Sequence, residues 1–253
     1  MDRFTTDDGL EIAYATWGSI DTGVPVVLHH GFAASHRTNW VAAGMVDALT
    51  AAGHSVVALD ARGHGESDHP HDPALYGESL MSIDVIDLVA SLGIDEYDLV
   101  GYSMGGIVAA LVGTRDPRVR RLCLGGIGAG VVEIGGVDQR VIPRDLIAEA
   151  LESDDPSTID NPAALGFRMF AESQGSDLLA LAAQARSAHS ERIPLELITA
   201  ETLVIAGTED PLAARPEVLA AAVEHGTAFT MPGDHLAVPS SPVYHQRVVD
   251  FLS

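Results

Sequence analysis

LVGYSMGG, residues 99–106, places Ser103 between Gly101 and Gly105, with strand-forming residues before it and helix-forming residues after it. A strand over 97–102 that runs straight into a helix opening at Met104 must turn sharply at the serine. Such a turn strains the backbone, needs neighbours without side chains, and stands the hydroxyl proud of the sheet edge. The first amides of the helix aim at the same point and favour negative charge there. Taken alone the motif is short: with 25 glycines in 253 positions, roughly 0.16 G-x-S-x-G matches arise by chance. A serine that merely caps a helix fits the local sequence equally well. The rest of the chain has to decide.

A hydroxyl attacks carbonyl carbon only with a base beside it, and the base needs an acid to orient it. TLVIAGTEDPLA ends an apolar strand in an acidic turn, where Asp210 is the natural acid and Glu209 and Asp234 are its neighbours in competition. Asp before Pro211 is also a common turn pairing; its place past the strand end leaves room to turn back toward a base. FTMPGDHLAV puts His235 in the loop after the strand over 228–231. Against the plain reading of a surface histidine, one of eleven, stands the chain order Ser103, Asp210, His235, which suits side chains set at the carboxyl ends of sheet strands. Attack leaves an oxyanion, and backbone amides are its expected donors. Met104, next to the serine, supplies one. Phe32, in LHHGFAAS after the strand over 24–29, supplies the second, with Gly31 permitting the turn and His30 shaping the loop.

Short apolar runs alternate with helical spacings along most of the chain. Strands are expected over 11–17, 24–29, 56–59, 97–102, 119–124, 203–206 and 228–231, and helices over 40–52, 76–92, 104–113, 216–223 and 242–252. Continuous apolar strands separated by helices imply a mostly parallel sheet covered on both faces. Between about 130 and 197 this rhythm stops. LIAEALE, AALGFRMFAE and LLALAAQARSAH are helical in spacing, so 130–197 is expected to be a helical lid inserted into a core of 1–129 and 198–253. Phe167, Met169 and Phe170, with Trp40 and Met104, are expected to line an apolar pocket, although each lid residue would serve equally well as packing. Arg168 and His189 suit a substrate carboxylate or a solvated face.

Acidic residues outnumber Lys and Arg 36 to 14, a formal charge of −22, which opposes binding to nucleic-acid phosphates or anionic lipid. The N-terminal MDRFTTDDGLEI lacks the basic and apolar order of a secretory signal, and the apolar run 122–132 is too short to span a bilayer as a helix. A lone cysteine, Cys123, forms no internal disulfide and reads as a core residue, so the cytoplasm is the expected compartment. No clustered Cys/His ligands and no glycine-rich phosphate loop after the first strand are present, so neither metal nor organic cofactor is expected.

Together these pieces resemble the α/β-hydrolase family over nearly the whole chain: HGF at 30–32, DARGHGES at 60–67, GYSMGG at 101–106, GTEDP at 207–211 and GDH at 233–235. The resemblance implies a twisted, mostly parallel eight-stranded sheet with helices on both faces and a helical lid. It also implies Ser103 as nucleophile, Asp210 as acid, His235 as base, and Arg62 and His64 as scaffold. It points to carboxylesterases and enol-lactone hydrolases, hence to a small, largely apolar ester or lactone as partner, handled by a monomer or homodimer. Tyr102 stands where carbon–carbon hydrolases of the family carry Asn. A triad-retaining receptor, an acyltransferase and a cofactor-free haloperoxidase (perhydrolase) are the competing readings.

Overall fold

Eight strands form one sheet in the computed structural model, which describes residues 1–253. They are β1 (Asp2–Thr5), β2 (Glu11–Trp17), β3 (Val26–His29), β4 (Val56–Leu59), β5 (Tyr97–Tyr102), β6 (Val119–Gly125), β7 (Glu201–Gly207) and β8 (Gly226–Met231). Their spatial order is β1-β2-β4-β3-β5-β6-β7-β8. β1 and β2 are antiparallel to their neighbours, and every other pairing is parallel. β3, β4 and β5 are buried along their whole length, as strands covered on both faces must be.

The two-residue period of a strand sorts the core into two layers. Val27, Val57, Leu99, Leu122 and Val204 face one cluster of 35 buried residues, shared with α2 (Glu78–Ser91), α3 (Met104–Gly113) and α8 (Pro216–Ala221). Val26, Leu28, Val56, Val100, Cys123 and Ile205 face the other, which includes residues of α1 (Met45–Ala51) and α9 (Pro242–Leu252). Cys123 is a core residue whose thiol burial pushes up to about 12, which makes it inert. Between β6 and β7 the chain forms α4 (Ala129–Ile134), α5 (Arg144–Glu152), α6 (Pro162–Ser173) and α7 (Leu178–Arg186).

Two local differences from the sequence reading have clear causes. The helix expected over 40–52 is a π-helical turn, Arg37–Val41, followed by α1. Gly44, at φ +92°, breaks the two apart. β1 escapes the sequence reading, because DRFT is an exposed edge strand with no apolar run; only its pairing with β2 reveals it. No helix is long and apolar enough to cross a membrane.

Candidate active site

Ser103 has φ +55° and ψ −116° and makes no capping hydrogen bond to α3, so the helix-cap reading fails. Holding a non-glycine residue there costs on the order of 1–3 kcal/mol, and the surroundings impose it. A Cβ at Gly101 would lie 2.0 Å from the Gly105 carbonyl oxygen, and one at Gly105 would lie 2.1 Å from that of His29. The Ser103 N–H donates to the Gly125 oxygen at 2.8 Å, tying the turn to β6. Strand, turn and helix are thus in backbone contact, which only glycine allows.

Past the end of β7, Asp210 opens a 3-10 turn, Pro211–Ala213, and its Oδ1 accepts from the amides of Leu212 (3.0 Å) and Ala213 (3.3 Å). The turn-forming role and the partner role therefore coexist, because Oδ2 remains free and lies 2.7 Å from Nδ1 of His235. A carboxylate only accepts, so Nδ1 carries the hydrogen and Nε2 presents its lone pair. Nε2 lies 2.9 Å from Ser103 Oγ. The competitors are occupied elsewhere: Asp234 Oδ1 accepts from the amides of Leu236 and Ala237, and Glu209 takes the Thr208 hydroxyl at the surface. Tyr102 donates its hydroxyl to the His235 carbonyl at 2.7 Å, which anchors the loop after β8.

The loop after β3 is held from below. Gly31 N–H donates to Asn39 Oδ1 at 2.8 Å, and a Cβ on Gly31 would be 3.4 Å from Ser103 Cβ, so this loop lies against the serine. Phe32 N–H and Met104 N–H have no partner within the chain. His30 accepts the Ala61 N–H on Nε2 (3.0 Å) and so donates from Nδ1 to the Gly31 oxygen (2.8 Å). It shapes the loop, as its position in HGF suggests. Asp60 accepts from the His36 and Glu66 amides and from the His36 ring. Burial works to raise its carboxyl, but these bonds and the nearby imidazoles hold it down to about 2. Arg62 is buried in a two-pronged pair with Asp84, with a further bond to Asp8. Burial pushes His29 and His30 down to about 4 and His64 to about 3, so all three are neutral at pH 7. No group of three or more His, Cys, Asp or Glu side chains is arranged to hold a metal ion.

Two hollows meet at Ser103. An open outer groove of about 520 Å³ is bordered by His235, Tyr102, Asn39 and Phe170. A narrow inner cavity of about 80 Å³ is bordered by Met104, Ile142, Ile147, Glu78 and Gln184. Phe32, Phe167 and Leu212 border both. Of the residues expected at a pocket, Phe167, Phe170 and Met104 are there. Trp40 and Met169 are not. The π-helical turn buries Trp40 completely in the core cluster beneath the sheet, and Met169 sits on the outer side of α6, 60% exposed. Arg168 is equally unavailable: it donates to the carbonyls of Ala150, Leu151 and Ser153, closing the end of α5. Glu78, Ile142, Ile147, Gln184 and Leu212 were not anticipated. They come from distant helices and loops, and no local motif marks them.

Residues 24–127 match the sequence model of the α/β hydrolase fold. A non-heme chloroperoxidase of Streptomyces lividans is 37% identical over 121 residues, which are 46% of this chain and 41% of that protein. The chain thus spans about two fifths of that curated relative. A hydrolase from Pseudomonas aeruginosa PA01 superposes over 100% of this chain and 98% of its own, with a TM-score of 0.77 and 26% identity. The enol-lactonase from Burkholderia xenovorans LB400 superposes over 99% of each chain, with a TM-score of 0.77 at 23% identity, a likeness of fold. From its sheet order, its matched segment and its end-to-end structural likeness, the chain has the α/β-hydrolase fold.

Proposed function

We propose that this protein is a serine hydrolase that cleaves carboxylic ester or lactone bonds of small, largely apolar molecules through an acyl-enzyme. The observation that carries the reading is the relay from Asp210 Oδ2 through His235 to Ser103 Oγ, at 2.7 and 2.9 Å. His235 Nε2 takes the Ser103 proton as Oγ bonds to the substrate carbonyl carbon. The amides of Phe32 and Met104 receive the oxyanion, a contribution of about 3–4 kcal/mol per donor in such sites. The carbon–oxygen bond then breaks, and the leaving oxygen takes the proton from His235. Water gives its proton to the same imidazole, adds to the acyl carbon, and releases the acid and free Ser103. Asp210 keeps the imidazole in the one tautomer and orientation that serve both steps. The α4–α7 segment acts as the lid, its Phe167 and Phe170 reaching the groove.

One observation favours a second acyl acceptor: the likeness to a protein named as a chloroperoxidase. Hydrogen peroxide in place of water would attack the same acyl carbon and leave as a peracid. A fluorophosphonate probe followed by peptide mass spectrometry tests the main reading. The expected result is one label, on Ser103, and no turnover of phenyl acetate by Ser103→Ala. A label elsewhere, or turnover surviving in Ser103→Ala, overturns it. Peracid formed from acetate esters and peroxide tests the second.

A further inference from the structure

The two hollows differ in which reactive groups they hold. The leaving oxygen must take a proton from His235 Nε2, so the alcohol part of a substrate lies in the outer groove, which His235 borders. The inner cavity contains Ser103, Met104 and Phe32 but not His235, so it adjoins the oxyanion donors and receives the acyl chain. Its volume of about 80 Å³, against about 520 Å³ for the outer groove, restricts the acyl part to a short chain.

Two buried polar side chains line that cavity. Glu78 is 4% exposed and Gln184 is 1% exposed. Glu78 Oε2 accepts the His189 N–H (2.7 Å) and Gln184 Oε1 accepts the Gly77 N–H (3.0 Å). Glu78 Oε1 and Gln184 Nε2 have no partner from another residue, and neither is sealed off by protein. Of the other polar groups there, His189 Nδ1 bonds the Gly135 oxygen and Arg144 Nη1 donates to the Ala188 oxygen, while Gln139 makes no side-chain hydrogen bond. Arg144 and Glu78 offset each other in charge, so the site suits a neutral group better than a second carboxylate.

We propose that the inner cavity is an acyl site for short chains that carry a hydroxyl about two carbons beyond the carbonyl, held between Glu78 and Gln184. The hydroxyl accepts from Gln184 and exchanges one hydrogen bond with Glu78. An alkyl chain of the same length displaces water from both groups and returns nothing, and buried polar groups left unpaired disfavour such an analogue. The inference rests on the acyl-enzyme reading and adds the class of acid to it.

The experiment holds the alcohol constant and compares phenyl 3-hydroxypropanoate, phenyl butanoate, phenyl octanoate and monophenyl succinate, with Ser103→Ala as control. The expected kcat/KM for the hydroxy ester is at least tenfold above that of butanoate, which in turn is at least tenfold above octanoate, with succinate below butanoate. Glu78→Gln should shrink the hydroxy preference below threefold, and Ile147→Ala should raise the octanoate-to-butanoate ratio. Equal rates for the first two esters, no loss at octanoate, or succinate as the best substrate overturns the acyl assignment while leaving Ser103-dependent hydrolysis intact. Turnover that survives in Ser103→Ala overturns both. The wild-type ratios decide the matter even where Glu78→Gln does not fold.

Discussion

The sheet rim around Ser103 and the helical segment between β6 and β7 are held by different forces. At the rim, backbone meets backbone: Gly101, Gly105 and Gly207 each lie where a Cβ would sit within about 2.1 Å of a carbonyl oxygen. Buried polar bonds then lock the loops, through Asp60, His30, Arg62 and Asp210. The helical segment is cemented by small residues. Its main cluster is Ala33, Ala148, Leu151, Ala171, Leu181, Ala182 and Ala185, and its outer ion pairs, such as Arg186–Glu152, are exposed on both sides. Alanine buries little area, and exposed pairs contribute about 0–1 kcal/mol. The rim therefore tolerates almost no change, whereas the helical segment can be reshaped. On the proposed reading, chemistry belongs to the first region and part of the choice of substrate to the second.

Substitutions should separate the two regions in graded fashion. Ser103→Ala is expected to lower kcat as much as about 10⁶-fold with an unchanged circular-dichroism spectrum. Asp210→Asn should cost about 10⁴-fold in kcat, measured on the same ester, because the imidazole is then held in the wrong tautomer. Arg62→Met leaves Asp84 buried without its partner, and urea unfolding should report a loss of about 3–5 kcal/mol.

Acid should attack the rim next. His29, His30 and His64 titrate in the folded chain at about 4, 4 and 3, against 6.5 ordinarily. Below pH 6.5 the unfolded chain binds protons that the folded chain refuses. Stability is therefore full above that pH and falls as pH drops toward 4, by about 3 kcal/mol between pH 6.5 and 5.5 for three such groups. Denaturant midpoints measured across that range check the slope; a flat profile would mean the imidazoles are not buried neutral. The smallest effect belongs to the helical segment. Phe170→Ala should raise KM about threefold with kcat held, and lower Tm by less than about 4 °C.

Legibility followed the same division. Ser103, Asp210 and His235 could be picked out because each comes after an apolar strand in a short stretch rich in Gly, Asp or Pro, and the strands themselves are continuous runs such as VVAL and LVGY. Trp40 misled because a helix-like spacing hid the π-helical turn over Arg37–Val41, which turns the indole into the core. Met169 misled because it lies between Phe167 and Phe170, two residues that share the inward side of α6 while their neighbour points out. Glu78 and Gln184, 106 positions apart, carry no shared motif, and Arg168 looks like a surface cation until its carbonyl partners are seen.

Sequence alone determined the fold and the order of the three candidate residues, because both depend on short-range rules: strand period, the turn that glycine allows, and the residue types in the loop at each strand end. Tertiary structure decided which of three neighbouring acids meets His235, where the aromatic side chains end up, and that Ser103 stands between a wide groove and a narrow polar-ended cavity. Those outcomes depend on contacts between segments far apart in the chain, and a hydrogen bond or a cavity exists only once every wall is in place.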